Sequence, residues 1–168
     1  MATAKEEMVS GGDEAGLFSG PVFIRPAEPS DVERIGSIEE LAFSNPWHPQ
    51  TFRSLIARGG ALFLVAEDEE AGVVGYAIAW WVLEQGELAN IAVTGPFRGR
   101  GVGSALLDRV LEDAAAAGVE SLFLEVRASN DRARDLYQSR SFEQVGIRKD
   151  YYRKPTEDAR ILLKRLKV

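Results

Sequence analysis

The chain has 168 residues, 45% of them hydrophobic, a net charge of −6 and no cysteine. This length and composition suit one globular domain. The absence of a Lys/Arg block argues against sequence-general nucleic-acid binding, and the absence of cysteine excludes disulfides, thiolate metal sites and a thiol nucleophile. No apolar run reaches the length of a membrane span or forms a signal-peptide core, so the expectation is a cytoplasmic protein with no membrane partner.

Residues 1–20 are rich in Gly, Ala, Ser and charge. They hold Lys5 against Glu6, Glu7, Asp13 and Glu14, about half of the acidic excess. This composition predicts a disordered leader, with a single domain over residues 21–168. Val22–Arg25 reads as a first strand. Ser30-Asp31-Val32-Glu33 has the spacing of a capping box and predicts a helix whose buried stripe is Val32, Ile35, Ile38 and Ala42. Asn45-Pro46 ends it, and Pro49 suits the first turn of a second helix carrying Phe52, Leu55 and Ile56.

Three strands follow at Ala61–Ala66, Val73–Leu83 and Glu87–Val93, with turns at Glu67–Gly72 and Gln85-Gly86. A long amphipathic helix, Val102–Ala117, carries Val102, Leu106, Val110 and Ala114 at four-residue spacing, and Gly118 fits its C-terminal cap. Ser121–Val126 is apolar almost throughout and predicts a strand buried on both faces. Ser129 or Asn130 suits the cap of a further helix with Ala133, Leu136 and Tyr137 on one side, before strands at Phe142–Tyr152 and Ala159–Leu166. The order βααβββαβαββ predicts an α/β (α+β) fold, a mixed central sheet with helices on both faces. Glu87–Val93 and Ser121–Val126 form its parallel pair.

Between the third of those strands and the long helix lies Arg98-Gly99-Arg100-Gly101-Val102-Gly103. Glycines at a strand–loop–helix junction let backbone N–H groups approach a ligand, and a helix N-terminus with two arginines favours phosphate. The Lys-Ser/Thr end of a P-loop is missing, and the glycines do not fall at the spacing of the dinucleotide fingerprint. On these residues alone, a phosphorylated cofactor and a tight turn with incidental glycines both remain open.

Glu125 lies near the end of an apolar strand, where burial penalises a charged carboxylate and strengthens it as a base. A structural pairing with Arg127 or another arginine is the competing reading. Tyr137 suits core packing with its hydroxyl at the rim, and Asn130 suits a helix cap. His48, the single histidine, suits a surface or cap position and excludes a His metal cluster. Trp80, Trp81 and Phe97 read as packing residues. Tyr151 and Tyr152, adjacent on a strand, point to opposite faces by the alternation rule, so one of them can face a cleft.

Taken together these motifs resemble the GNAT acetyltransferase superfamily. Arg98-x-x-Gly101-x-Gly103 is similar to its acyl-CoA loop. Leu124-Glu125-Val126-Arg127-Ala128-Ser129-Asn130, with Ala133, Leu136, Tyr137 and Phe142, is similar to the bacterial ribosomal-protein-alanine N-acetyltransferases of the RimI type. Phe43-x-x-Pro46-Trp47-x-x-x-x-Phe52 and Tyr151-Tyr152 agree with that subgroup, and the resemblance runs from about Val22 to the C-terminus. Ser141 departs from it, since the family commonly has Gly before this aromatic at a position that needs positive φ.

The resemblance implies acetyl-CoA as co-substrate and no metal. It places the backbone of Ile91, Ala92 and Val93 along the pantetheine arm, and Arg98, Gly99, Arg100, Gly101, Val102, Gly103 and Ser104 around the pyrophosphate. Asn130 reaches the cofactor's amide arm, Glu125 is the general base and Tyr137 the general acid, and the Val93 N–H stabilises the oxyanion. The implied reaction is direct acetyl transfer in a ternary complex to the N-terminal alanine amine of a ribosomal protein or other peptide. A small amine or lysine side chain as acceptor, and a non-catalytic acyl-CoA-binding module, are the alternatives.

Overall fold

The structure, a computed structural model, describes residues 21–166. The predicted leader and the last two residues lie outside them.

The elements run β1 (Val22–Pro26), α1 (Val32–Ala42), α2 (Pro49–Arg58), β2 (Ala61–Asp68), β3 (Gly72–Val82), β4 (Gln85–Val93), α3 (Val102–Ala116), β5 (Ser121–Arg127), α4 (Asp131–Ser139), β6 (Glu143–Tyr152) and β7 (Glu157–Arg165), with 3-10 turns at Pro29–Asp31 and Gly95–Phe97. This is the predicted order. One seven-stranded sheet holds all the strands in the order β1-β2-β3-β4-β5-β7-β6. Every neighbouring pair is antiparallel except β4 and β5.

The two faces of the sheet carry separate cores. Leu106, Leu107 and Val110 of α3, with Ala133 and Tyr137 of α4, pack on Leu64, Ala77, Leu88, Leu124 and Val126. On the other face Ile35 and Ile38 of α1 and Phe52 of α2 pack on Phe63, Val65, Tyr76 and Ile78. Phe52 is fully buried, its ring 6.0 Å from Phe63 and 5.9 Å from Tyr76, so it anchors the otherwise half-exposed α2. Removing such a ring typically costs about 3–5 kcal/mol.

Three local expectations change. Ser30 does not cap α1. Asp31 instead accepts from the Glu28 N–H at 2.8 Å and pairs with Arg25 at 2.8 Å, so the cap closes one turn earlier, around the 3-10 turn. Burial raises the Asp31 carboxyl, but the bonds from Arg25 and Glu28 outweigh it and hold the group below its ordinary range. The β3–β4 turn is Leu83-Glu84, with Leu83 at φ 55°, and Gly86 lies inside β4. Tyr151 and Tyr152 do not point apart. A register irregularity between Arg148 and Tyr152, with Asp150 at φ 52°, breaks the alternation and leaves the two rings edge to face at 5.1 Å.

Other expectations hold. His48 caps α2, its Nδ1 accepting from the Gln50 N–H at 3.1 Å. Gly118 takes φ 84° after α3, where the Val119 N–H bonds the Ala114 carbonyl and the Gly118 N–H the Ala115 carbonyl. Those two bonds satisfy two of the helix's last carbonyls.

Candidate active site

β4 and β5 are paired only at Gln85–Ser121, Gly86–Leu122 and Glu87–Phe123. Gly86 permits that close approach, because a Cβ there would stand 2.9 Å from Leu122 Cδ1. Just beyond, the β3–β4 register shifts: Ile78 faces Asn90 and Ala79 faces Leu88, which leaves Ala89 as an extra residue on β4. A bulge bends its strand and increases its twist. β4 therefore leaves β5, and among the described residues its edge beyond Glu87 has no strand partner on that side.

The ladder shows which backbone groups line this gap. The Thr94 N–H bonds the Val74 carbonyl on β3 at 2.8 Å. By alternation Ala92 also turns to β3, and Ile91 and Val93 turn to the gap. The Val93 carbonyl already accepts from Arg98 Nε at 2.9 Å. By the same alternation the Val93 N–H and the Ile91 groups face the gap, where no described strand pairs with them.

At one end of the gap stands the N-terminus of α3. Gly99 (φ 73°) and Gly101 (φ 82°) take backbone conformations that favour glycine, and no side chain caps the helix. The first intrahelical bond runs from the Ala105 N–H to the Gly101 carbonyl, so the N–H groups of Val102, Gly103 and Ser104 face outward at the positive end of the dipole. Arg100 stacks on Phe97 at 5.2 Å. Arg132 of α4 reaches the same loop, its Nη2 3.1 Å from where a Cβ on Gly99 would stand. Burial first, and then the neighbouring charge of Arg132, lower the pKa of Arg98. Two guanidiniums held together against their repulsion, beside unbonded helix N–H groups, suit a polyanion.

Glu125 and Tyr137 lie on opposite faces of the sheet. Leu124 and Val126 point into the α3–α4 core, so Glu125 between them points to the α1–α2 side. It is 3% exposed. Oε1 pairs with Arg148 Nε at 2.8 Å, and buried Oε2 has no hydrogen-bond partner among the described residues. Tyr137 belongs to the α3–α4 core with its ring 5.5 Å from Phe142, and its buried hydroxyl is also unpartnered among the described residues. Asn130 takes the cap role. Oδ1 caps α4 through the Ala133 N–H at 3.1 Å, and Nδ2 is buried without a partner among the described residues. Buried polar groups are seldom left unpaired, and these three are groups that a ligand could satisfy.

Arg127 is not the partner of Glu125. It bonds Glu157 Oε2 and Ser44 Oγ, each at 3.2 Å, and the Pro155 and Arg153 carbonyls, and it lies 4.4 Å from the Tyr152 ring. It thereby ties β5 to the α1–α2 loop and the β6–β7 hairpin, the two segments flanking the Glu125 side. Glu157 also accepts the Ser129 N–H at 2.5 Å. Burial raises its pKa, but Ser129 and Arg127 outweigh that and hold the carboxyl below its ordinary 4.5.

A buried polar cluster stands behind β4. Glu39 of α1 accepts from the Trp47 N–H at 2.9 Å, from Asn90 Nδ2 at 3.0 Å and from the Tyr76 hydroxyl. Burial, then the Glu39 charge, push the Tyr76 phenol well above its ordinary range, so it remains a donor. Arg132, Arg148 and this cluster were not singled out in the sequence. Glu39 did carry a signal, since it falls on the α1 stripe with Ile35 and Ala42, and so did Asn90, the polar member of an apolar run.

A model of the acetyltransferase (GNAT) family matches residues 32–142. The chain belongs to the GNAT acetyltransferase family. The [ribosomal protein bS18]-alanine N-acetyltransferase of Escherichia coli K12 is 37% identical over 138 residues, which is 82% of this chain and 90% of that protein. The Haemophilus influenzae protein of the same description is 38% identical over 134 residues, 79% of this chain and 89% of that protein. The crystal structure of the E. coli ribosomal-protein-S18-alanine N-acetyltransferase superimposes with a TM-score of 0.80 at 33% identity, covering 88% of this chain and 96% of that one.

As a GNAT protein the chain is an acetyl-CoA-dependent acyltransferase. The unpaired β4 edge, the uncapped helix and the paired arginines fit that co-substrate. Among the described residues no group of three or more His, Cys, Asp or Glu could hold a metal, and no helix is long and apolar enough to cross a membrane.

Proposed function

We propose that this chain transfers acetyl from acetyl-CoA to the N-terminal alanine α-amine of ribosomal protein bS18, in the cytoplasm, with Glu125 as general base and Tyr137 as general acid. The observation that carries the reading is the buried, unpartnered Glu125 Oε2 at the gap, on the face opposite Tyr137. Acceptor and co-substrate can then enter from different sides and meet between β4 and β5. The relatives described above act on the bS18 alanine, and their similarity covers about four-fifths of this chain.

A free α-amine has a pKa near 8, so at neutral pH most of it carries a proton and cannot attack. Glu125 Oε2 accepts that proton. Bound acetyl-CoA supplies the acetyl group as a thioester. The amine nitrogen forms the new bond to the acetyl carbon as the carbon–sulfur bond breaks, and the second proton that this nitrogen sheds on becoming an amide passes to solvent, from which Tyr137 is reprotonated. The Val93 N–H stabilises negative charge on the acetyl oxygen, and the Tyr137 hydroxyl gives its proton to the leaving sulfur. Ile91 holds the pantetheine arm along β4, with Ala92 between the two gap-facing residues. Asn130 Nδ2 donates to an amide of the same arm. Arg98, Gly99, Arg100, Gly101, Val102, Gly103 and Ser104, with Arg132, hold the diphosphate.

The test is acetylation of a peptide panel varying the first three residues, alongside small amines and lysine peptides. The expected result is preference for an N-terminal alanine in the bS18 context. Equal or better turnover of a small amine or a lysine side chain overturns the acceptor assignment, and coenzyme A binding without turnover of any amine overturns the enzyme assignment.

A further inference from the structure

We infer that Asn90 is an acceptor-binding residue, whose side-chain oxygen takes an N–H of the incoming amine across the gap from Glu125. This rests on the proposed reading of the acceptor as a primary amine.

The argument begins with the orientation of the amide. A carboxylate only accepts hydrogen bonds, so the Asn90 group facing Glu39 Oε2 at 3.0 Å must be the NH2. Nδ2 also lies 3.3 Å from the Tyr76 hydroxyl. With the nitrogen turned to β3 and α1, the oxygen lies on the side away from them. That oxygen, Oδ1, is buried and has no partner among the described residues.

Asn90 and Glu125 share a face of the sheet. Asn90 bonds a residue of α1, and Glu125 points to the same side because Leu124 and Val126 point to the other. Asn90 lies three residues beyond Glu87 on one wall, and Glu125 two residues beyond Phe123 on the other; those two residues close the parallel pairing. The bulge at Ala89 takes up the additional residue. Two unpartnered acceptor oxygens, Asn90 Oδ1 and Glu125 Oε2, thus stand on the two walls of one gap. Two acceptors cannot satisfy each other. A primary ammonium, with three N–H groups, satisfies both.

This pairing also orients the reaction. The N–H on Glu125 is the one whose proton leaves first, to make the nucleophile, and the third N–H loses its proton to solvent once the new bond has formed. The N–H on Asn90 stays on nitrogen and fixes the direction of the lone pair that appears. Glu39 acts as a positioning residue. It holds the amide in this sense, and through the Trp47 N–H it sets the α1–α2 loop on the same face.

The experiment compares wild type with Asn90→Ala and Glu39→Gln, using the peptide or small primary amine that wild type acetylates best. Glu39→Gln keeps size and shape, but its amide can present NH2 to Asn90, turn that side chain over and aim a donor at the cationic acceptor. Both variants should raise the acceptor KM about tenfold or more, the scale of one lost hydrogen bond to a charged group, while the dissociation constant for coenzyme A changes less than about twofold. An acceptor KM within about twofold of wild type, or a loss of coenzyme A affinity in step with it, overturns the assignment. A crystal structure of wild type with coenzyme A and acceptor needs no variant. The amine nitrogen should lie within about 3.2 Å of Asn90 Oδ1, and a separation beyond about 4 Å overturns the assignment. Failure of wild type to acetylate any amine removes the proposed function itself and is seen before any variant is compared.

Discussion

Glu125 divides its carboxylate between two environments: Oε1 is held 2.8 Å from Arg148 Nε, and Oε2 is buried with no partner among the described residues. Arg148 is about half exposed and comes from β6, whereas Glu125 sits on rigid β5 between β4 and β7. One oxygen is therefore oriented by an ion pair and the other is left for chemistry. Glu125→Gln should lower kcat by about 10²–10⁴, the usual range for a lost general base, with coenzyme A affinity unchanged. Because Arg148 reaches solvent, the thermal midpoint should barely move. Steady-state kinetics with calorimetry check both, and full turnover at saturating substrate would contradict the role.

Tyr137→Phe removes only a hydroxyl with no partner among the described residues and keeps the ring against Phe142. Folding stability should not fall, because no hydrogen bond among the described residues is lost. kcat should drop by about tenfold or more if the hydroxyl protonates the leaving sulfur. Thermal melts and initial rates separate the two effects.

Arg132→Gln tests the anion site with a sign that simple packing does not predict. Arg132 lowers the pKa of Arg98 by like-charge repulsion, so its loss should leave the free protein equally or more stable. Coenzyme A should bind about tenfold more weakly, as for one lost charge-assisted bond, with a shallower dependence on salt. Calorimetry at two ionic strengths reads this, and unchanged affinity would contradict it.

Ser141 takes φ 64° between α4 and β6, where a side chain is strained. Ser141→Gly should stabilise the protein by about 1 kcal/mol and raise the thermal midpoint by about 2–4 °C. Activity should not change, since the turn holds no residue of the site. A thermal melt decides it.

Acid should loosen the hairpin through Glu157. Its carboxyl is held below 4.5 in the folded state, so its stabilising contribution is complete at neutral pH. It declines as the pH drops below the unfolded value and is gone below the folded one. Glu157→Gln should cost stability at neutral pH and progressively less on acidification. Thermal midpoints of both proteins between neutral and about pH 3 give the comparison.

The fold was legible because local signals agreed along the chain: the α3 stripe with Gly118 at its end, Pro49 opening α2, and apolar β5 between two partners. The glycine loop was legible for the same reason, since Gly99, Gly101 and the helix behind them are contiguous in sequence. The gap itself was less so. It depends on the Ala89 bulge and on Gly86 fitting against Leu122, which arise only when β3, β4 and β5 pair. The partners of the site residues were hidden too. Arg148 meets Glu125, and Arg132 meets the loop, across long sequence separations that no local pattern encodes. Ser30 misled because its spacing was right while Arg25 and the Glu28 N–H had already engaged Asp31. The tyrosine pair misled because alternation fails wherever a strand is irregular.

The most direct test is the intact mass of bS18 from the source organism with and without this gene. The account predicts an N-terminal acetyl group on the alanine in the parent strain and its loss in the deletion strain, restored by wild type but not by the Glu125→Gln variant. An acetylated bS18 N-terminus in the deletion strain would contradict it.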